Sequence, residues 1–144
     1  MTHEDTGHYA KKHSPDRKVQ PEIAKALKQK ASNREISCAA AHKIARDLKV
    51  SPAEVGFTTD TLEIRIVKCQ MGLYGYQPEK RVVKPAKTVS QTLEEAICDS
   101  LVGERLSCRA AWDIAKRSGT AKMAISSACE TLKIKISSCQ LGSF

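Results

Sequence analysis

Ile36-Ser37-Cys38-Ala39-Ala40-Ala41-His42-Lys43-Ile44-Ala45 opens a stretch that the chain repeats 70 residues later as Leu106-Ser107-Cys108-Arg109-Ala110-Ala111-Trp112-Asp113-Ile114-Ala115. Both copies run to the same ending. Thr61-Leu62-Glu63-Ile64-Arg65-Ile66 leads to Cys69-Gln70-Met71-Gly72, and Thr131-Leu132-Lys133-Ile134-Lys135-Ile136 leads to Cys139-Gln140-Leu141-Gly142. The offset is 70 at both ends, so the copies align without a gap. A period of this length defines the unit whose role has to be explained.

Working outward, each copy reads as a small helical unit. Before the first copy, Pro21-Glu22 starts a helix carrying Ile23, Ala26 and Leu27 on one face, and Ser32-Asn33 ends it. Ser37 can cap a second helix whose inner face is Cys38, Ala41, Ile44, Ala45 and Leu48, leaving His42, Lys43, Arg46 and Asp47 outside. Ser51-Pro52-Ala53-Glu54 carries two start signals for a third helix, with Val55, Thr58, Thr59 and Leu62 inward. Alternation of Leu62, Ile64 and Ile66 with Glu63 and Arg65 then predicts a strand. Thr92 is expected to cap the corresponding first helix of the second copy, with Leu93, Ala96, Ile97 and Leu101 inward.

The expected fold class is mainly α with short β strands, in two tandem units related by the internal repeat. Units are expected over 21–76 and 91–144, a basic linker over 77–92 and a flexible basic tail over 1–20. Val82-Val83 is a candidate for one more short strand. With 144 residues and aromatics at 4%, the core must be built from Ile, Leu, Val and Ala. A lone unit of roughly 50–70 residues buries only about 60% of its unfolded surface, so pairing the units, or forming a homodimer, would relieve that marginality.

The formal net charge is +8. It lies mostly outside the repeated units: +3 in residues 1–30 and +3 in 77–92, against +1 in each of 31–76 and 93–144. Arms of this kind suit phosphates, although Lys and Arg also serve plain solubility. No stretch has the roughly 18–20 apolar residues of a membrane span, and the N-terminus is too polar for a signal peptide. The expected location is cytoplasmic, with the thiols mostly reduced. His3, His8 and His13 in the tail are spaced by five, which does not place them on one helix face.

The order helix, short strand, helix, tight turn, helix, strand resembles tandem winged helix-turn-helix domains of the DNA-binding, transcription-regulator type. The resemblance rests on the Ile-Ala pair (Ile44-Ala45; Ile114-Ala115), on Gly119 in the turn, and on an aliphatic residue ten positions after the Ala (Val55; Ile125). It implies a third helix lying in the major groove of DNA. In the first unit that helix would present Ser51, Pro52, Ala53, Gly56, Phe57 and Asp60, none of them cationic. In the second it would present Lys122, Met123, Ser126, Ser127 and Glu130, with Lys116 and Arg117 alongside. The second unit is therefore the expected reader, helped by Lys80, Arg81 and Lys84 of the linker on phosphates. Phe57 is the expected partner-binding residue of the first unit.

Two other classes stay open. One is a protein-interaction or assembly module on the same scaffold, around Phe57 and Met123. The other is a thiol-based redox or metal sensor. Strict strand alternation puts Cys69 on the outer face, and Cys139 repeats it beside Gln-x-Gly. With Cys38 and Cys108, which read first as small buried residues, they would form a four-cysteine zinc or iron–sulfur site if both units converged. Cys129 reads as core, and no C-x-x-C pair exists. Enzyme motifs are absent: no phosphate-binding glycine loop, H-E-x-x-H or G-x-S-x-G. No cofactor is expected, and no membrane partner.

Overall fold

The computed structural model describes residues 9–14, 16–79 and 81–144. Among them the chain is mainly helical with four three-residue strands. The first half holds α1 (Pro21–Lys30), β1 (Glu35–Ser37), α2 (Cys38–Leu48), α3 (Pro52–Thr61) and β2 (Arg65–Val67). The second holds α4 (Gln91–Asp99), β3 (Arg105–Ser107), α5 (Cys108–Ser118), α6 (Lys122–Leu132) and β4 (Lys135–Ser137). A turn of 3-10 helix, Tyr9–Lys12, precedes α1.

Local chemistry accounts for most element ends. Ser37 and Ser107 each accept a hydrogen bond from the amide three residues on, Ala40 and Ala110, both at 3.1 Å. Ser51 accepts from Glu54 N at 3.2 Å, and Pro52 sits at the first helical position, where its missing amide costs nothing. α2 and α5 end in left-handed residues, Lys49 (φ 56°) and Gly119 (φ 65°). α4 begins at Gln91 with Ser90 as its cap, two residues before the expected Thr92, because Ser90 Oγ reaches Leu93 N at 3.2 Å.

Each half carries one two-stranded parallel sheet. Glu35, Ile36 and Ser37 pair with Arg65, Ile66 and Val67, and the second pairing is the same register moved by 70: Arg105, Leu106 and Ser107 with Lys135, Ile136 and Ser137. Parallel pairing requires a long crossover, which α2–α3 and α5–α6 supply. Among the described residues no antiparallel hairpin follows β2 or β4. The strand expected from Leu62 starts later, at Arg65, because Leu62 still caps α3 and Glu63 takes a left-handed turn (φ 54°).

The core repeats as well. Leu27 and Ile97, Ala41 and Ala111, and Val55 and Ile125 are fully buried in matching positions. Cys38 and Cys108 are buried at the starts of α2 and α5. Ile44-Ala45 and Ile114-Ala115 lie buried on α2 and α5. His42, expected outside, is buried at 4% exposure, whereas its counterpart Trp112 is half-buried. Cys69 is likewise buried rather than outward. Lys68 (φ 53°) turns the chain left-handed just after β2, and that turn breaks the strict alternation on which the outer-face assignment depended.

The compact units are residues up to Cys69 together with Gln140–Phe144 (unit 1), and Gln70–Cys139 (unit 2). In unit 1, Leu141 closes on α3. A Cβ at Gly56 would lie 1.7 Å from the Leu141 carbonyl oxygen, so only glycine admits this approach. In unit 2, Met71 is fully buried and Gly72 (φ 76°) sits against Val82, Val83 and Met123.

The described parts of the tail and linker are packed straps. Tyr9 is buried, and the segment carrying His13 and Arg17 lies on α3. Residues 81–86 lie on α6: Ala86 N donates to Ser127 O at 3.0 Å, and Thr131 Oγ1 to Ala86 O at 2.6 Å. Val82-Val83 does not form a strand; Val82 N donates to Gly72 O at 3.0 Å.

Candidate nucleic-acid interface

The exposed chemistry of unit 2 gathers where α5 turns into α6. Lys116 and Arg117 occupy the last turn of α5 and are exposed. The left-handed Gly119 reverses the chain, and Thr120 N closes the turn on Ala115 O at 3.0 Å. α6 then begins at Lys122 behind Ala121, whose side chain cannot cap. The Ala124 amide donates to the Ala121 carbonyl at 3.0 Å, and the Lys122 and Met123 amides ahead of it have no capping side chain, so the start of α6 favours an anion. Lys122 bends over Trp112, its Nζ 4.5 Å from the ring centroid. Trp112, Asp113, Ala115, Lys116, Thr120 and Lys122 line a groove of about 350 Å³.

The same place in unit 1 carries its cations at other positions: Lys43, Arg46 and Lys49 stand with Asp47, where unit 2 has Lys116, Arg117 and Lys122 with Asp113. Lys116, Arg117, Ala121 and Lys122 correspond to Arg46, Asp47, Ser51 and Pro52. Asp47 is neutralised by Lys43 at 2.7 Å, a hydrogen bond that holds its carboxyl below the usual range. Ser51 takes up an α3 amide. The scaffold and the net charge of the turn are common to both units; the placement of the cations and the capping side chain are not.

The middle of α6 is a different matter. Ser126, expected to face DNA, is buried at 1% exposure, and its hydroxyl has no hydrogen-bond partner among the described residues. Ser127 is half-buried, with its carbonyl engaged by Ala86. Glu130 is paired with Arg81. The strap 81–86 thus covers the side that was expected to enter a groove, which leaves the first turn of α6, with Lys122 and Met123 (36% exposed), as its accessible end. Lys84 is exposed on the strap, and Lys80 lies outside the described residues, as do His3 and His8.

In unit 1 the expected display on α3 holds only at its start, where Ser51 and Ala53 are exposed and Pro52 is half-buried. Gly56, Phe57 and Asp60 are all buried. Phe57, the expected partner-binding residue, is 2% exposed: the His13 ring meets it edge-on with centroids 4.9 Å apart, and the Arg17 guanidinium lies 3.8 Å above it. Asp60 Oδ2 accepts from His13 Nε2 at 2.7 Å and Lys12 Nζ at 3.1 Å.

Among the sensor candidates, Cys38, Cys69 and Cys108 are buried and Cys139 is half-buried. Among the described residues no group of three or more His, Cys, Asp or Glu side chains is placed to hold a metal ion. Burial pushes the Cys129 thiol up to about 11, with the charge of Glu130 and the Cys98 thiol adding to the effect. Cys98 itself is exposed.

The straps went unread in the sequence although a signal existed. The 70-residue offset continues upstream of the obvious repeat, relating Pro15 to Pro85, Arg17 to Lys87 and Val19 to Val89. No protein-family model matches the chain, and neither a curated protein nor a solved structure is similar enough to it to count as a match.

Proposed function

We propose that the protein binds DNA as a tandem helix-turn-helix module of transcription-regulator type, gripping backbone phosphate through the α5–α6 turn of unit 2. The observation that carries this reading is the grouping of Lys116, Arg117 and Lys122 at one exposed turn, beside the uncapped start of α6. Helix-turn-helix proteins contact DNA with the N-terminal residues of the second helix of the motif, and α5–turn–α6 has that order. Fixed amide dipoles and three cations on one edge suit a phosphate better than a carboxylate peptide, because successive phosphates repeat along a strand. Base contacts would come from Lys122 and Met123 in the first turn of α6 and not from Ser126 or Ser127.

A salt series on random duplex tests the proposal. Binding is expected to weaken steeply with salt, and the triple variant Lys116→Ala, Arg117→Ala, Lys122→Ala should flatten the log–log slope by about 0.9 for each phosphate contact removed. The matching change Arg46→Ala in unit 1 should leave the slope unchanged. No binding at low salt, or an unaltered slope in the triple variant, would refute it.

A further inference from the structure

The two straps are held by different physics. In unit 2 the main chain does most of the holding, through Val82 N to Gly72 O, Ala86 N to Ser127 O and Thr131 Oγ1 to Ala86 O, with the Arg81–Glu130 pair added. In unit 1 the polar contacts of the strap with α3 and the residue just past it run through three carboxylates. Glu63 accepts the amides of Tyr9 and Ala10 at 3.0 Å each. Asp60 takes His13 and Lys12 on one oxygen, and Glu54 takes Arg17 at 2.8 Å. Lys11 and Lys18 remain exposed beside these pairs.

A strap held by charge is weakened by salt and can be won by a stronger anion, whereas one held by backbone hydrogen bonds is not. The pairs in unit 1 are also partly open to water: Lys12 is 24% exposed and Arg17 40%. A phosphate offers each cation the same kind of charge-assisted hydrogen bond that the carboxylate offers, and Arg can take it bidentately.

We propose that the segment carrying Tyr9, Ala10, Lys12, His13 and Arg17 is a latent polyanion-binding arm, kept closed by Glu54, Asp60 and Glu63, that nucleic-acid phosphates open by drawing Lys12 and Arg17 off the carboxylates. The acidic edge of α3 thus stands in for the phosphate backbone while the protein is unbound. Opening exchanges one set of charge-assisted hydrogen bonds for another and uncovers Phe57. The proposal rests on nucleic acid being the partner of the chain. It adds a second contact segment, controlled by the first unit, to the turn in the second.

Amide hydrogen exchange on the full chain tests it directly. Saturating random duplex should speed exchange at the Tyr9 and Ala10 amides at least tenfold while the Ala86 amide stays protected. Unchanged protection of Tyr9 and Ala10 with duplex bound overturns the proposal. The double variant Glu54→Gln, Asp60→Asn, which keeps shape and removes charge, should bind duplex about tenfold more tightly at moderate salt. Its log–log slope should match the wild type, because Lys12 and Arg17 reach phosphate in both bound states. Equal affinity in a variant that still melts cooperatively overturns it as well, as does a slope steeper than the wild type's, which would mean that the wild-type arm stays shut on duplex; if the variant does not fold, wild-type exchange decides. If the wild-type chain binds no duplex, the DNA reading falls, and inorganic polyphosphate in the same exchange assay judges the arm alone: loss of Tyr9 and Ala10 protection supports it, and full protection ends it.

Discussion

Cys129 shows how a single side chain can be read from its neighbours and then measured. It replaces Thr59 of the other unit, and both are buried on the third helix of their unit. Burial raises its pKa from 9.0 to about 11. The unfolded chain releases the thiol proton near 9 and the folded chain only near 11, so above pH 9 the unfolded state binds fewer protons. Stability from this group is intact below pH 9 and is lost as the pH rises through 11. Urea unfolding between pH 8 and 11 should show that decline, and Cys129→Thr should flatten it. The same burial predicts that a thiol reagent at neutral pH modifies exposed Cys98 well before Cys129, readable by mass after brief labelling. Its assignment to the core was legible in the sequence, because Ile125 and Leu132 lie at helical spacing from it. Cys69 was misread because the left-handed turn at Lys68 has no signature in side-chain polarity.

At the scale of elements, the two third helices differ in their first residue more than in their packing. α3 has Ser51 as its cap and α6 has Ala121. Ala121→Ser should therefore supply a missing hydrogen bond and raise stability by about 1 kcal/mol, measured as a shift in the urea midpoint with an unchanged slope. Under the proposed function it should also weaken duplex binding, since a capping side chain would cover the start of α6 where the phosphate is proposed to sit. A gain in stability without any loss of binding would separate the helix end from the phosphate contact. Ser107→Ala, which removes a cap that is present, should cost about 1 kcal/mol in the same assay. The starts of α1, α2 and α3 and the inner face of α2, His42 apart, were readable because capping and periodicity are local. Which side of α3 and α6 is covered was not, because the covering strap is about 45 residues away in sequence in each unit.

For the molecule as a whole, the ending of the second copy completes the first unit. Leu141 is buried on α3, and its carbonyl leaves no room for a Cβ on Gly56. Gly56→Ala should displace residues 140–144 and destabilise the protein by about 2 kcal/mol, in the range of other overpacked sites. Gly119→Ala is the control: nothing lies within 4 Å of a Cβ there, and the cost is limited to about 1 kcal/mol of left-handed strain. Lys49, left-handed at the equivalent position, shows that the fold carries such a residue. Amide exchange in Gly56→Ala should rise in α3 and stay low in α6; a uniform rise would mean that the segment supports more than unit 1.

By itself the sequence determined the 70-residue repeat, the starts of α1, α2 and α3, the turns at Lys49 and Gly119 and most apolar positions of the core. All of these follow from side-chain chemistry acting within a few residues. Only the tertiary structure decided that the strands pair in parallel, that the basic arms lie as straps on the third helices, and that Gln140–Phe144 belongs with the first unit. Those outcomes depend on contacts between residues tens of positions apart, where backbone hydrogen bonds and steric fit choose among arrangements that one hydrophobic pattern would equally allow. The charged residues of the arms looked available in the sequence because nothing local opposes them. Asp60, Glu54 and Glu130 oppose them in space.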